Sequence, residues 1–503
     1  MHMAFLSASE RAFLRAASRL AFCNPFLPER VEHERAALGA EFADDGPVWS
    51  FSVHEPERRR TNVWRIAARL DEFCPRLRNK LAAAMAASDE DRVLYEDCVL
   101  NLLYQRYYPR FFEAGFGEQK SSGASRWRFF SEFAADWRYF FQIEGLALPS
   151  GYEPGHTFAC FRQIQCAFEH IFQNIIGNSL PAARLRAAVW ESIFSHDVRR
   201  YRRTLFERMG EFATLITGPS GTGKELVARA IAESPYLRFD ERRMTFADDD
   251  AMLFFPINIS ALSPTLVESE LFGHRRGSFT GAVGDRKGWL ETCPARGSVF
   301  LDELGDLDPG IQVKLLRVIE TRRFNPVGDT TSIRFQGKLI AATNRDLAAD
   351  IEARRFREDL YYRLCSDQIA TPSLAEQIAD SPAVLAESIA YMARKITGSD
   401  SEGLAAEAVE WVGKNLGRDY SWPGNYRELE QCVRNVLIRR DYRPTERRTS
   451  DGADDLAREL RGGKLTADQL LRRYCSYIYQ QTGSYEETAR RLGLDRRTVK
   501  AKI

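Results

Sequence analysis

Between Ala213 and Ile231 the chain passes from a short β-prone run, Ala213–Thr217, through GPSGTGKE at Gly218–Glu225 into apolar residues at helical spacing, Leu226, Val227, Ala230 and Ile231. A strand that turns on glycines into a helix confines this region to a few folds. The glycines let successive backbone N–H groups converge on phosphate oxygens, and the helix N-terminus adds positive potential. Gly218, Ser220, Gly221, Thr222 and Gly223 are the candidate cradle, and Lys224 can reach the outer phosphates. Glu225 departs from the pattern, because a Ser or Thr hydroxyl usually binds Mg2+ at that position. The loop alone therefore leaves nucleotide hydrolysis open.

Three further short apolar runs, Phe254–Ile259, Ser298–Leu301 and Lys338–Ala342, alternate with helical stretches. That alternation predicts a parallel α/β sheet. The run GSVFLDE ends in Asp302-Glu303. A strand delivering adjacent carboxylates to the C-terminal edge of the sheet sets them beside the phosphate loop. Asp302 can then hold Mg2+ through its waters, and Glu303 can polarise an attacking water.

Charge and cysteine content exclude more than they identify. Lys plus Arg number 71 against 70 Asp plus Glu, so any contact with nucleic acid must be local. Nine cysteines without CxxC spacing fit buried thiols in a reducing cytoplasm, and seven histidines without paired-ligand spacing predict no zinc. No apolar run approaches ~18 residues and no signal-peptide order opens the chain, so a soluble cytoplasmic protein without membrane contact is expected.

Residues 1–173 read as a mostly helical region. Ser7 and Glu10 have capping-box spacing, and Phe13, Ala17 and Leu20 follow on one face. Trp127, Phe130, Phe133, Trp137 and Phe140 recur at helical intervals, which predicts core packing in preference to a ligand pocket. A boundary is expected near Asn174–Gly177. Beyond it the basic stretch Arg199–Arg203 reads as a solvated helix face, and residues 238–253, with Asp248–Asp250, as a surface insertion.

The ordered set ESELFGH, GSFTGA (Gly277–Ala282), FLDEL, ATNRDL, FREDLYYRL and WPGNYREL resembles the sigma-54-dependent AAA+ transcription activators, also called bacterial enhancer-binding proteins. The resemblance covers residues 174–440, less strongly the C-terminus, and not the N-terminal region. It implies an α/β AAA+ P-loop ATPase subdomain at 174–371 with a small helical lid at 372–440, and a multidomain architecture overall. It further implies that Ile176 and Gly177 lie against adenine and that Lys224 binds phosphate. The family carries Glu where Glu225 stands, which removes the doubt raised by the loop. Asp302 and Glu303 match the metal and water-activating pair, and Asn258 the asparagine that restrains the glutamate. Thr343 and Asn344 match the first sensor, and Arg427 the second. Arg357 and Arg363 align with arginines that reach a neighbouring subunit's nucleotide, where a guanidinium stabilises phosphoryl transfer. A surface ion pair with Glu358 or Asp359 is the alternative for them.

The resemblance implies that Gly277, Ser278, Phe279, Thr280, Gly281 and Ala282 contact sigma-54; a hairpin tip with Phe279 tucked into the core is the bland alternative. Ser278 replaces alanine, Arg275 stands where the family usually has glutamate, and Tyr426 replaces a commonly aliphatic neighbour of Arg427. Residues 441–463 read as a linker. In 464–503, Thr488-Ala489 and Leu492-Gly493-Leu494 fit a helix-turn-helix that resembles the Fis type, with Asp495 as N-cap. Arg496, Arg497, Thr498 and Lys500 would face a DNA major groove. The expected protein is an ATP- and Mg2+-dependent homo-oligomeric, hexameric activator that binds upstream DNA and remodels sigma-54 RNA polymerase. The alternatives are a nucleotide-controlled DNA-binding regulator or repressor with weak hydrolysis, and an AAA+ remodeller of another protein.

Overall fold

The computed structural model describes residues 5–44, 61–83, 87–117, 126–149, 151–247, 252–398, 402–417, 420–444, 460 and 465–503. The chain forms two units, Met1–Leu437 and Ile438–Ile503.

The first unit opens with helices α1 (Ala8–Phe22), α2 (Glu29–Leu38), α3 (Thr61–Ala82), α4 (Asp89–Phe116), α5 (Phe130–Phe141) and α6 (Pro154–Asn174). Helix α1 starts on the reciprocal cap its spacing predicts: Glu10 N donates to Ser7 Oγ at 3.2 Å and Ser7 N to Glu10 Oε2 at 2.8 Å. Ser88 and Asp91 make the same cap at the head of α4. Trp127, Phe130, Phe133, Trp137 and Phe140 are all buried, and Phe158 of α6 lies among them, its ring 5.1 Å from Phe130 and 5.2 Å from Phe133.

Two surface expectations fail in this unit. The insertion forms a hairpin, β2 (Phe239–Asp240) with β3 (Thr245–Phe246), whose rings enter the aromatic core of the helical region. Phe239 lies 4.7 Å from both Phe130 and Phe158, and Phe246 lies 4.8 Å from Trp127. Burying each ring contributes roughly 1.5–3 kcal/mol, which outweighs the polar character of the surrounding residues. Asp248–Asp250 lie outside the described residues. Nor is Arg199–Arg203 a solvated face. Residues Tyr201–Leu205 take a π-helical turn that carries Tyr201 and Arg202 inside, while Arg199 pairs with Asp97 of α4 and only Arg200 and Arg203 stay in water.

No linker separates the helical region from the sheet. The first half of α6 belongs to the aromatic core, and its second half (Ala167, Ile171, Phe172) packs with α7 (Leu180–Phe194) on Ile216, Val227 and Ile231. Strands β1 (Thr214–Thr217), β4 (Phe254–Asn258), β5 (Ser298–Asp302), β8 (Lys338–Thr343) and β9 (Asp367–Ala370) form one parallel sheet in the order β4-β5-β8-β1-β9. Between β5 and β8 a small hairpin pairs β6 (Arg323–Phe324) with β7 (Ile333–Arg334). The run DQIA of β9 is too short and polar to read as a strand, and it closes the sheet beside β1. Helices Leu374–Asp380, Ala383–Thr397, Glu402–Asn415 and Asn425–Arg439 follow where a helical lid is expected.

In the second unit, helices Ala467–Thr482, Tyr485–Leu492 and Arg496–Lys502 pack through Cys475, Ala489 and Val499. Most of the expected linker 441–463 lies outside the described residues.

Phe246→Ala should remove about 3–5 kcal/mol, because its ring fills space between Trp127 and Phe158. Calorimetry should then show the helical region melting ahead of the sheet domain; one unshifted transition would mean that the hairpin does not join them.

Candidate functional site: a nucleotide cavity and an exposed loop

The C-terminal ends of β1, β5 and β8 bring the phosphate loop, Asp302-Glu303 and Thr343-Asn344 to one edge of the sheet. A cavity of about 500 Å3 opens there, lined by Ser220–Glu225, Asp302, Glu303, Ile176 and Arg427. The loop keeps its shape through close approaches that only glycine permits. A Cβ on Gly218, φ 140°, would lie 2.2 Å from Thr371 Oγ1, and one on Gly221, φ 80°, would lie 2.2 Å from the Gly424 carbonyl. Thr222 Oγ1 donates to the Pro219 carbonyl at 2.9 Å and meets Thr371 Oγ1 at 2.7 Å. Lys224 Nζ donates to the carbonyls of Gly218 (3.0 Å) and Pro219 (3.1 Å), so it stands at the mouth of the loop. Burial lowers the Lys224 pKa, against the pull of Glu303 and Asp302. Glu225 lines the cavity and pairs with Arg229 one helical turn on, at 3.3 Å.

Burial raises the Asp302 pKa, with the Glu303 N–H and Lys224 opposing it. Glu303 takes a left-handed backbone, φ 55°, ψ 49°, uncommon for a residue with a Cβ, and its Oε1 accepts from Asn344 Nδ2 at 3.4 Å. Asn258 is not part of that contact. Its Oδ1 accepts from Ala261 N at 3.2 Å and Ser260 Oγ at 2.8 Å, capping its own turn. Thr343 is buried and accepts from Arg345 N at 3.1 Å. Among the described residues no three His, Cys, Asp or Glu side chains form a metal-binding group. Two carboxylates beside a phosphate loop suit Mg2+, which keeps several waters and takes further ligands from phosphates.

The lid closes on this cavity. Arg427 Nη1 donates to Ser220 Oγ at 3.2 Å, Asn425 Nδ2 to the Ser220 carbonyl at 2.9 Å, and Tyr426 N to the Gly221 carbonyl at 3.0 Å. The Tyr426 hydroxyl, absent from an aliphatic neighbour, donates to Gln377 Oε1 at 3.1 Å. Behind Ile176 the buried Arg186 donates to the carbonyls of Ile175 (3.1 Å) and Gly177 (2.9 Å) and so fixes that segment. Arg186, Thr371, Gln377 and Asn425 are site residues that sequence reasoning missed. The available signals were the place of Asn425 within WPGNYREL and the polar break that Arg186 makes in the apolar pattern of α7.

Arg357 and Arg363 do not line the cavity of their own chain. Arg357 pairs with Asp359 at 2.6 Å and Arg363 with Glu320 at 3.2 Å, and both remain well exposed. Gly277–Ala282 form a tight loop in which Gly277 N donates to the Ala282 carbonyl at 2.9 Å. Ala282 is buried and the Phe279 ring is half-buried, 4.9 Å from His274. Thr280 and Gly281 are exposed, and Val283 beyond them is 84% exposed. Arg275 donates to Asp329 at 2.8 Å and Asp285 at 3.4 Å, so its reversed charge is met by two carboxylates. Ser278 Oγ has no partner among the described residues, packed where Gly328 approaches. In the second unit Asp495 Oδ1 accepts from Arg497 N at 2.7 Å as a cap; Arg496, Arg497 and Lys500 are exposed and Thr498 half-buried.

A parallel sheet with this loop, carboxylate pair and helical lid defines an AAA+ domain. Residues 195–370 match the sigma-54 interaction domain family. The hydrogenase transcriptional regulatory protein HoxA of Bradyrhizobium diazoefficiens is 40% identical over 46% of this chain and 44% of its own. The Nif-specific regulatory protein of Azotobacter vinelandii is 42% identical over 44% and 39%, and the transcriptional regulatory protein ZraR of Escherichia coli O157:H7 is 38% identical over 58% and 63%. Through residues 195–370 the chain belongs to the sigma-54 interaction domain family. It spans less than two thirds of the length of these relatives.

Gly221→Ala should strain a positive φ and push Gly424 from the loop, weakening nucleotide binding about ten-fold. Titration with a fluorescent ATP analogue reads this, and an unchanged Kd would show that the lid does not need the close approach.

Proposed function

We propose that the chain is an ATP-hydrolysing transcription activator that binds upstream DNA and remodels sigma-54 RNA polymerase from a closed to an open promoter complex. The observation that carries this reading is that one domain holds both the lidded phosphate-loop cavity and the exposed GSFTGA loop, within a match to the sigma-54 interaction domain. Relatives named as transcriptional regulatory proteins support the same reading.

In this reading the backbone of Gly218–Gly223 and Lys224 bind the phosphates of ATP, Ile176 and Gly177 flank the base, and Asp302 would hold Mg2+. The ion supplies charge neutralisation at the phosphate oxygens. Glu303 accepts a hydrogen bond from the attacking water, and Asn344, which donates to the same carboxylate, orients it. Asn258 is assigned to this relay only on the family resemblance. Arg427 and Ser220 close the lid over the phosphates. The exposed Arg357 and Arg363, outside their own cavity, suit a ring of six copies in which each completes a neighbour's site. An arginine supplied in trans is worth orders of magnitude in rate. Thr280 at the loop tip engages sigma-54, and Arg496, Arg497, Thr498 and Lys500 read or anchor DNA.

Lys224→Ala should abolish nucleotide binding, whereas Glu303→Ala should keep binding and lose turnover by about a hundred-fold or more. Normal phosphate release from the Glu303 variant would sink its catalytic role. Mixing Glu303→Ala with Arg357→Ala or Arg363→Ala subunits should restore part of the turnover if an arginine acts across subunits; additive inactivity at every ratio would place both within their own chain.

The deciding experiment is ATP-dependent open-complex formation by sigma-54 polymerase. Thr280→Ala should hydrolyse ATP yet fail to open the promoter. Hydrolysis by the unaltered protein without any opening would instead favour a different remodelling target.

A further inference from the structure

A second cavity, of about 430 Å3, lies where α1, α3 and α4 meet α6, α7 and the turn that follows α7. Its volume is that of a small-molecule site. The wall is aromatic, with Trp64, Tyr104, Tyr108, Phe161, Phe168 and Trp190 among the lining side chains. Such a wall favours a flat or branched apolar body.

Four charged residues also line it: Arg30, Glu34, Glu169 and Arg202. Arg30 and Glu34 form a buried ion pair, and Glu34 also accepts from Asn62 Nδ2 at 3.2 Å. Glu169 accepts from Gln165 at 2.9 Å, and burial pushes its carboxyl up to about 7. Arg202 is different. It is only 3% exposed, yet its Nε and Nη2 have no hydrogen-bond partner and it makes no ion pair among the described residues. Its guanidinium lies 4.6 Å from the centroid of the Tyr152 ring. Buried donors left unmade are costly, and Nε with Nη2 is the fork that grips a carboxylate through two parallel bonds.

We propose that this cavity binds a small carboxylic acid with an aromatic or branched apolar body, its carboxylate held by the guanidinium of Arg202. The Arg30–Glu34 pair is internally neutralised and burial favours the neutral form of Glu169, so Arg202 supplies the positive charge.

The cavity shares its walls with the nucleotide cavity. Helix α6 lines the first through Phe161, Ile164 and Phe168 and reaches the second at Asn174. Helix α7 lines the first through Trp190 and the second through Ala182 and Leu185. An acid that fits one placement of these helices better than another shifts the nucleotide cavity by that difference. This link rests on the activator reading; the binding itself does not.

Calorimetry on the full chain, with phenylacetate and 1-naphthylacetate as probes and their neutral amides as controls, tests the site. At least one acid should saturate, and its amide should bind about ten-fold more weakly. Arg202→Met should weaken that acid about ten-fold and leave the amide unchanged, Arg202→Lys should restore part of the loss, and Ile164→Trp should block acid and amide alike by filling the cavity. No saturation by either acid up to about 10 mM, equal affinity for acid and amide, or undiminished acid binding in a folded Arg202→Met would each overturn the proposal. A Kd for the ATP analogue that stays the same when the acid saturates would overturn the α6 and α7 link while leaving the site.

Discussion

The structure depends on the burial of the second half of α6 against the sheet domain. Ile171, Phe172 and Ile175 share one apolar core with Ile216 of β1 and with Val227 and Ile231 of the helix that the phosphate loop opens. Interiors are close-packed, so a helix held in this way cannot slide without disturbing what it touches. What it touches at one end is the aromatic core of the N-terminal helices, and at the other the Ile175-Ile176 wall of the nucleotide cavity. The hairpin β2–β3 fastens the same joint from the opposite side, because Phe239 and Phe246 leave the sheet domain to fill the aromatic core. The helical region and the sheet domain are joined by two apolar contacts in place of a tether.

Within the sheet domain, the electrostatics follow from burial. Lys224 and Asp302 are each partly withdrawn from water, and each is shifted by that withdrawal toward its neutral form. Each also lowers the cost of the other's charge, so a phosphate placed beside Lys224 would meet a cation already partly desolvated. The lid contacts on Ser220 and Gly221 come from consecutive residues, Asn425, Tyr426 and Arg427, so a small rotation of that helix alters every one of them.

Legibility in the sequence followed the range of the interaction. The phosphate loop, the runs that became β1, β4, β5 and β8, and the Ser7 cap are local patterns, and all stand where the spacing puts them. The strand β9 did not show, since Asp367 and Gln368 are polar and the strand exists because β1 offers a partner. Arg202 was misread because a run of arginines looks solvated, and only the π turn at Tyr201–Leu205 sends one of them inward. Phe239 and Phe246 escape a local reading because their acidic surroundings suggest surface, while their partners Trp127 and Phe158 lie in helical segments far earlier in the chain. Asn258 and Asn344 show the limit of analogy: the pattern named both as neighbours of the catalytic chemistry, and the geometry sets only Asn344 against Glu303.

The reversed charge at Arg275 shows how a departure from a pattern can be absorbed. Asp329, held down to about 2 by the Thr331 N–H and then by Arg275, stays ionised through the physiological range. The pair ties the base of the Gly277–Ala282 loop to the turn between β6 and β7, and Asp285 holds the other strand of the loop through the Arg276 N–H at 2.8 Å. Exposed ion pairs contribute little stability singly, but here they set the direction of a short segment whose tip carries Thr280. A glutamate at 275 would face Asp285 and Asp329 as a third like charge. The reversal at 275 therefore belongs with those two aspartates, which give its guanidinium two acceptors.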